Sequence, residues 1–167
     1  YRQLTFKTGT VHSARFAPDG ATVLYSGVWE GNRVELFSTR LDSSESRPHE
    51  GTPSGVLAIS RSGDAAVSLN CRSISFFEWL GTLARVPLAG GAPREITEDV
   101  GEADWSPDGA TLAITRRAGA RWRLESPPGK ILHESLSWIS HPRFSPRGDK
   151  IAFIQHIVGN DGEIMLI

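Results

Sequence analysis

A twelve-residue stretch occurs three times in this chain. "RFAPDGATVLYS" (Arg15–Ser26) returns as "DWSPDGATLAIT" (Asp104–Thr115) and again as "RFSPRGDKIAFI" (Arg143–Ile154). A worn copy, "AISRSGDAAVSL" (Ala58–Leu69), lies between the first two. The glycines that anchor the copies are Gly20, Gly63, Gly109 and Gly148, spaced by 43, 46 and 39 residues. Repetition at this period constrains a fold more than composition does, because each unit must bury its apolar face against the next. It also bears on chemistry. Asp19 and Asp108, with a hydroxyl or an aromatic ring close by, could be parts of an acid–base or metal site. A catalytic group is needed once, whereas a turn is needed in every unit. The repetition therefore makes these aspartates turn residues whose carboxylates bond nearby backbone N–H groups.

Every copy parses alike. A short strand ends in a large apolar residue (Phe16, Ile59, Trp105 or Phe144), expected to fill the layer between units. A tight turn follows, with Pro at its second position and Gly at its fourth. The second copy has Arg61 and Ser62 in place of Pro and Asp, and the fourth has Arg147 for Asp, so those two turns are expected to be looser. Next comes a β-rich strand: "TVLYS", "AAVSL", "TLAIT" or "KIAFI". Third strands read "RVELFST", "TLARVPL", "RWRLES" and "GEIMLI". The hairpins "LAGGAPR" and "SPPGK" lead to fourth strands, "REITE" and "KILHE". Pro and Gly interrupt the chain too often for a sustained 3.6-residue apolar stripe, so the class is all-β.

Four strands in roughly 40–45 residues make one blade of a β-propeller. The expected architecture is an incomplete propeller of four-stranded antiparallel blades, about three and a half to four in number. Its divisions are an end strand of a preceding blade at 1–10, blades at 11–55, 56–99 and 100–138, and an incomplete blade at 139–167. "YRQLTF" reads as that preceding end strand. An unclosed arc leaves Phe- and Ile-rich surface and strand edges to be covered by further blades or by a second copy.

The copies "RFAPDG", "DWSPDG" and "RFSPRG", each followed by an "IAF"-like strand, resemble the TolB-type propeller repeat, a relative of the WD repeat. The resemblance spans nearly the whole chain. "VHSARFAPDG" and "GTLARVPLAGGAPREI" are further similar to the C-terminal propeller regions of bacterial serine/threonine kinases. This likeness implies a sensor or recognition role and favours the extracytoplasmic side. A closed ring in such families takes six or more blades, so the chain reads as part of a larger protein.

Composition narrows the partners. Formal charge is −1, which supplies no global field to recruit nucleic acid. No apolar run reaches the roughly 20 residues of a membrane span, so direct membrane insertion is not expected. The chain opens on "YRQLTF", without the basic and apolar regions of a signal peptide. Cys71 is the single cysteine, which rules out an intrachain disulfide and a CxxC metal site. It is read as a partly buried thiol at a strand end, with Arg72 beside it.

No catalytic, cofactor or metal site is expected. There is no G-x-S-x-G elbow and no kinase signature within the chain. The five histidines lack i, i+2 or i, i+4 spacing, and "GNDGE" reads as a hairpin tip rather than a calcium loop. Binding residues are sought in the parts that do not repeat. The loops between second and third strands carry Trp29, Arg72, Phe76, Phe77, Trp79, Arg116, Arg117 and His156, and aromatics and Arg are enriched at interface hot spots. Equally, the rings of "SISFFEWLG" could cap the blade core. First strands line a propeller's channel, placing Arg15, Asp104 and Arg143 at its mouth, or in solvated cross-blade ion pairs. The expected function is non-catalytic recognition of a protein, peptide or small ligand on the loop face. Its rivals are the propeller of a peptidase or hydrolase whose catalytic domain lies elsewhere, and a TolB-like envelope component.

Overall fold

The structure is a computed structural model that describes residues 3–30, 33–43, 45–49, 54–75, 78–158 and 161–167. Within these the chain is all-β. The strands are β1 (Gly9–Phe16), β2 (Thr22–Trp29), β3 (Glu35–Arg40), β4 (Ser46–Pro48), β5 (Ser54–Ile59), β6 (Asp64–Ser73) and β7 (Trp79–Pro87), followed by β8 (Arg94–Trp105), β9 (Leu112–Ala118), β10 (Arg121–Glu125), β11 (Ile131–Ser135), β12 (Ile139–Phe144), β13 (Ile151–Val158) and β14 (Asp161–Leu166). Neighbours pair antiparallel in the sheet orders β1-β2-β3-β4, β5 through β11, and β12-β13-β14.

The seven-stranded sheet is two blades that share one strand. The first half of β8 pairs with β7 and its second half with β9, and Val100 pairs with both Gly81 and Arg116. Asp99, at φ 59, makes the bend between the halves. The molecule is thus an incomplete propeller of four blades, the fourth with three strands among the described residues. Among the described residues of the end strand expected at 1–10, residues 3–8 form no strand and Gly9 already opens β1. A fourth strand exists only when bonded to a third, and no such partner lies beside them among the described residues. The Lys7 ammonium lies 5.8 Å from the centre of the Phe37 ring, and Phe37 clusters with Tyr25 and Trp29.

All four repeat turns close. The N–H of Gly20, Gly63, Gly109 and Gly148 donates to the carbonyl three residues earlier at 3.0, 3.1, 2.8 and 2.9 Å, and each glycine has positive φ. The looser turns expected at Arg61 and Arg147 are not found. Ser60, Ser106 and Ser145 accept the N–H of Asp64, Thr111 and Lys150 at 3.0, 3.0 and 3.3 Å, so the turns without a full Pro-Asp keep the hydroxyl brace that the third copy also has.

Blades stack through their aligned apolar residues. Trp105 of the third blade packs on Ala58, Ala66 and Leu83 of the second. Ile59 joins Leu24 and Leu36 of the first, and Phe144 joins Trp122 and Leu124 of the third. Phe16 departs from the expected interblade role. It is 62% exposed against 8% for Trp105, because each such residue packs on the preceding blade and the first blade has none before it among the described residues.

One further feature recurs. Each innermost strand carries a bulge against its neighbour: between Val11 and Ser13, Val56 and Ala58, Val100 and Glu102, and Ser140 and Arg143. The extra residues are His12, Leu57 and Gly101, with His141 and Pro142 spanning the fourth bulge. A bulge re-aims the side chain it adds.

Candidate functional site

The bulged residues point to one place. His12, Leu57, Gly101 and His141 all line a cavity of about 440 Å³ bounded by the inner strands of the four blades. Val34, Cys71, Trp79 and Trp138 line it near the ends of strands that meet the loop face, and Arg15 and Arg143 line it toward the repeat turns. The size lies within the range of about 300–1,000 Å³ typical of ligand sites. The cavity exists because four strands converge there, each carrying a residue displaced from regular pairing.

Its polar groups fall into two sets. Arg15 and Arg143 donate to the carbonyls of Ala14 and Pro142 at 2.8 and 2.6 Å, and among the described residues neither forms an ion pair. Burial, then the like charge of Arg143, pulls the Arg15 guanidinium below its usual range, while Glu102 and Asp104 act in the opposite sense. Each of those carboxylates also accepts a backbone N–H. Asp104 Oδ2 accepts the N–H of Phe144 at 2.8 Å and Glu102 Oε2 accepts that of His141 at 3.0 Å. Both bonds run from the third blade to the fourth; among the described residues no ion pair joins Arg15, Asp104 and Arg143, although their charges act on one another. Burial pushes the Asp104 carboxyl up, against the opposing effect of the Phe144 N–H and the two arginines.

The second set surrounds Ser140. Its hydroxyl lies 2.8 Å from both His156 Nε2 and His141 Nδ1. Glu102 Oε1 lies 3.7 Å from the same His141 Nδ1. In a Ser-His-acid triad the serine and the acid engage opposite ring nitrogens. Here they converge on one, and Ser140 is fully buried. The cluster instead anchors the fourth blade, with Trp138 stacked on His156 at 3.9 Å. His141 adopts φ 53, the left-handed region that a non-glycine residue rarely occupies. At the opposite wall His12 meets Trp79 edge-on at 4.9 Å, and burial lowers the His12 imidazole below its usual range.

The residues expected on the loop face disperse. Trp29 ends β2 and is 7% exposed, packed with Tyr25 and Phe37 rather than presented to a partner. His156 is likewise buried, because the stack on Trp138 and the Ser140 bond draw it inward. Arg116 pairs with the buried Glu125 at 3.3 Å, and Arg117 donates to the Gly119 carbonyl at 3.3 Å. Arg72 turns to Asp99 at the bend of β8, away from Cys71, whose Sγ donates to the Ser68 carbonyl at 3.2 Å. Phe76 and Phe77 lie outside the described residues. Of this set, Trp79 is the one that reaches the cavity. Sequence reasoning passed over His12, Glu102, Trp138 and His141. The signal for the histidines was present: "VHSARF" and "SHPRF" place a His shortly before the last residue of an inner strand.

The fold and its axial cavity define a TolB-like β-propeller architecture, and known structures share it. The chain is similar to the putative TolB from Agrobacterium tumefaciens, at 18% identity and TM-score 0.72 over 96% of this chain and 64% of that one. It is similar to TolB from Acinetobacter baumannii, at 16% identity and TM-score 0.66 over 95% of this chain and 41% of the other. The β-propeller domain of the Trilobed protease from Pyrococcus furiosus matches at 16% identity and TM-score 0.56, covering 97% of this chain and 55% of that one. The chain therefore spans less than two thirds of each of these structures. No protein-family model matches the sequence, and neither does any curated protein.

Proposed function

We propose that this chain is a non-catalytic recognition module that takes a small ligand, or a segment of a peptide or protein, into the cavity on its channel axis. The observation that carries this reading is the construction of the cavity. Each of the four blades contributes a bulged residue to its wall, with Trp79 and Trp138 as rigid aromatic surfaces. The engagement of Ser140 with two histidines in its buried state supports binding over nucleophilic catalysis. In a longer protein this module serves as the sensor propeller of a bacterial serine/threonine kinase, on the extracytoplasmic side. The kinase-like stretches "VHSARFAPDG" and "GTLARVPLAGGAPREI" support that assignment. Remaining blades or a second copy complete the ring.

A second reading has one observation in its favour, the likeness of the arc to the propeller domain of a protease. On that reading the channel filters substrate for a catalytic domain elsewhere in the protein. A kinase domain and membrane span in the flanking sequence would support the sensor, a G-x-S-x-G domain the peptidase, and a secretory signal with envelope partners the TolB-like alternative.

The recognition reading is tested by screening short peptides and small molecules against the folded chain, following the tryptophan indole N–H signals by NMR. The expected hits shift Trp79 and Trp138 and lose affinity at least tenfold in Val34→Trp, which narrows the cavity from a position outside the strands, while its melting temperature stays unchanged. Hits that map to another surface and ignore Val34→Trp would overturn it.

A further inference from the structure

The charges around the cavity are unevenly partnered, and this names a ligand chemistry. Arg15 and Arg143 face the same cavity from the first and fourth blades, and neither forms an ion pair among the described residues. Each guanidinium carries five N–H donors, and one hydrogen bond apiece among the described residues, to the carbonyls of Ala14 and Pro142, leaves most of that capacity for a ligand. Two like charges brought together from different blades repel, and an anion between them removes the cost. Glu102 and Asp104 offset part of this repulsion while also holding backbone N–H groups of the fourth blade.

Formal charge limits which anion fits. Among the residues that line the cavity, Arg15 and Arg143 stand against one carboxylate, Glu102, a formal excess of one positive charge that suits a single negative charge held by directed bonds. A carboxylate meets a guanidinium fork with two parallel N–H···O bonds. Above the floor stand Trp79 and Trp138, flat apolar surfaces suited to a planar or aromatic body.

We propose that the cavity is a monocarboxylate site, in which Arg15 and Arg143 grip the carboxylate of the ligand and Trp79 and Trp138 flank its body. This rests on the recognition reading above and goes further by fixing the ligand class. The carboxylate belongs either to a free organic acid or to the C-terminus of a peptide, and the probes separate the two.

The test uses benzoate, its neutral analogue benzamide and phenyl phosphate, titrated into the folded chain while the Trp79 and Trp138 indole signals are followed. Assignment comes from Trp79→Phe and Trp138→Phe. Benzoate is expected to bind at least tenfold more tightly than benzamide and more tightly than phenyl phosphate. Arg15→Gln and Arg143→Gln are each expected to weaken benzoate about tenfold and leave benzamide unchanged. Should either variant fail to fold, the unaltered chain still decides: benzoate affinity falls as NaCl rises and benzamide affinity does not. N-acetylphenylalanine and its amide form the second arm, and the tighter of benzoate and the N-acetyl acid identifies the source. Equal affinity for acid and amide, a preference for phenyl phosphate, or benzoate binding indifferent to both arginines and to salt would overturn the carboxylate site. If neutral hits from the wider screen still lodged in the cavity, the recognition reading would survive that failure.

Discussion

Asp19 shows what its carboxylate does when a turn closes around it. Oδ1 accepts the N–H of Ala21 and Thr22 at 3.0 and 2.8 Å, and Oδ2 accepts the Thr22 hydroxyl at 2.7 Å. These bonds, that of the Thr22 hydroxyl foremost, hold its pKa down to about 2. Because the folded value lies below the unfolded one, about 3.9, ionised Asp19 stabilises the fold fully above the unfolded value. The contribution is lost as pH falls through the window from about 3.9 to about 2. Asp19→Asn is therefore expected to lower the urea midpoint at pH 7, with the deficit shrinking as pH falls through that window. A deficit as large at pH 2 as at pH 7 would show that shape rather than charge is at work. The same lowering occurs at Asp108 and Asp149, where serine hydroxyls are the leading cause, and at Asp64, where it is Arg85.

Between elements, position in the arc decides what one repeated residue does. Trp105 and Phe16 occupy the same place in their copies, yet Trp105 is buried under the second blade with the Arg85 guanidinium 5.6 Å from the ring centre, and Phe16 is largely exposed. Trp105→Ala is expected to cost about 3–5 kcal/mol, as for large core aromatics. Phe16→Ala should stay within about 0.5 kcal/mol, as at an exposed site. Denaturant melts of the two variants check this, and equal losses would mean that the first blade is covered in solution. The strands and turns were legible in the sequence because alternation, Pro-Asp-Gly and the repeat period are local signals. The bulges were not: the extra residue falls eight positions before the turn glycine in the first and third copies, but six before it in the second. An inserted residue absorbed by tertiary pairing leaves no fixed mark in the chain, and so the cavity wall went unread.

At the scale of the whole molecule, the arc ends in apolar surface. Ile164, Leu166 and Ile167 are exposed around β14, and Phe6, Val11 and Phe16 around the first blade. Among the described residues, β14 pairs on one side with β13 and has no strand on its other side. Open edges and apolar patches both promote association. Sedimentation velocity of the isolated chain is expected to show concentration-dependent association with ANS binding. Ile164→Lys with Leu166→Lys should shift it toward monomer. A stable monomer that binds no ANS would count against a role for these ends in assembly.

The sequence by itself determined the units: four copies, their strands, their turns, and the need for blade to pack on blade. Each of these follows from contacts within about a dozen residues, or from a repeat that reports them several times over. Only the tertiary structure decided which copies of a repeated residue are covered, since that depends on the neighbouring blade. It also decided which unrepeated residues meet. His12, Trp79 and the neighbouring pair Trp138 and His141 are far apart in the chain and share a cavity because four inner strands converge and bulge there. Arg15, Asp104 and Arg143 read in the sequence as residues of the channel mouth or as cross-blade ion pairs. In the fold Arg15 and Arg143 line the cavity, while Asp104 accepts a backbone N–H of the next blade.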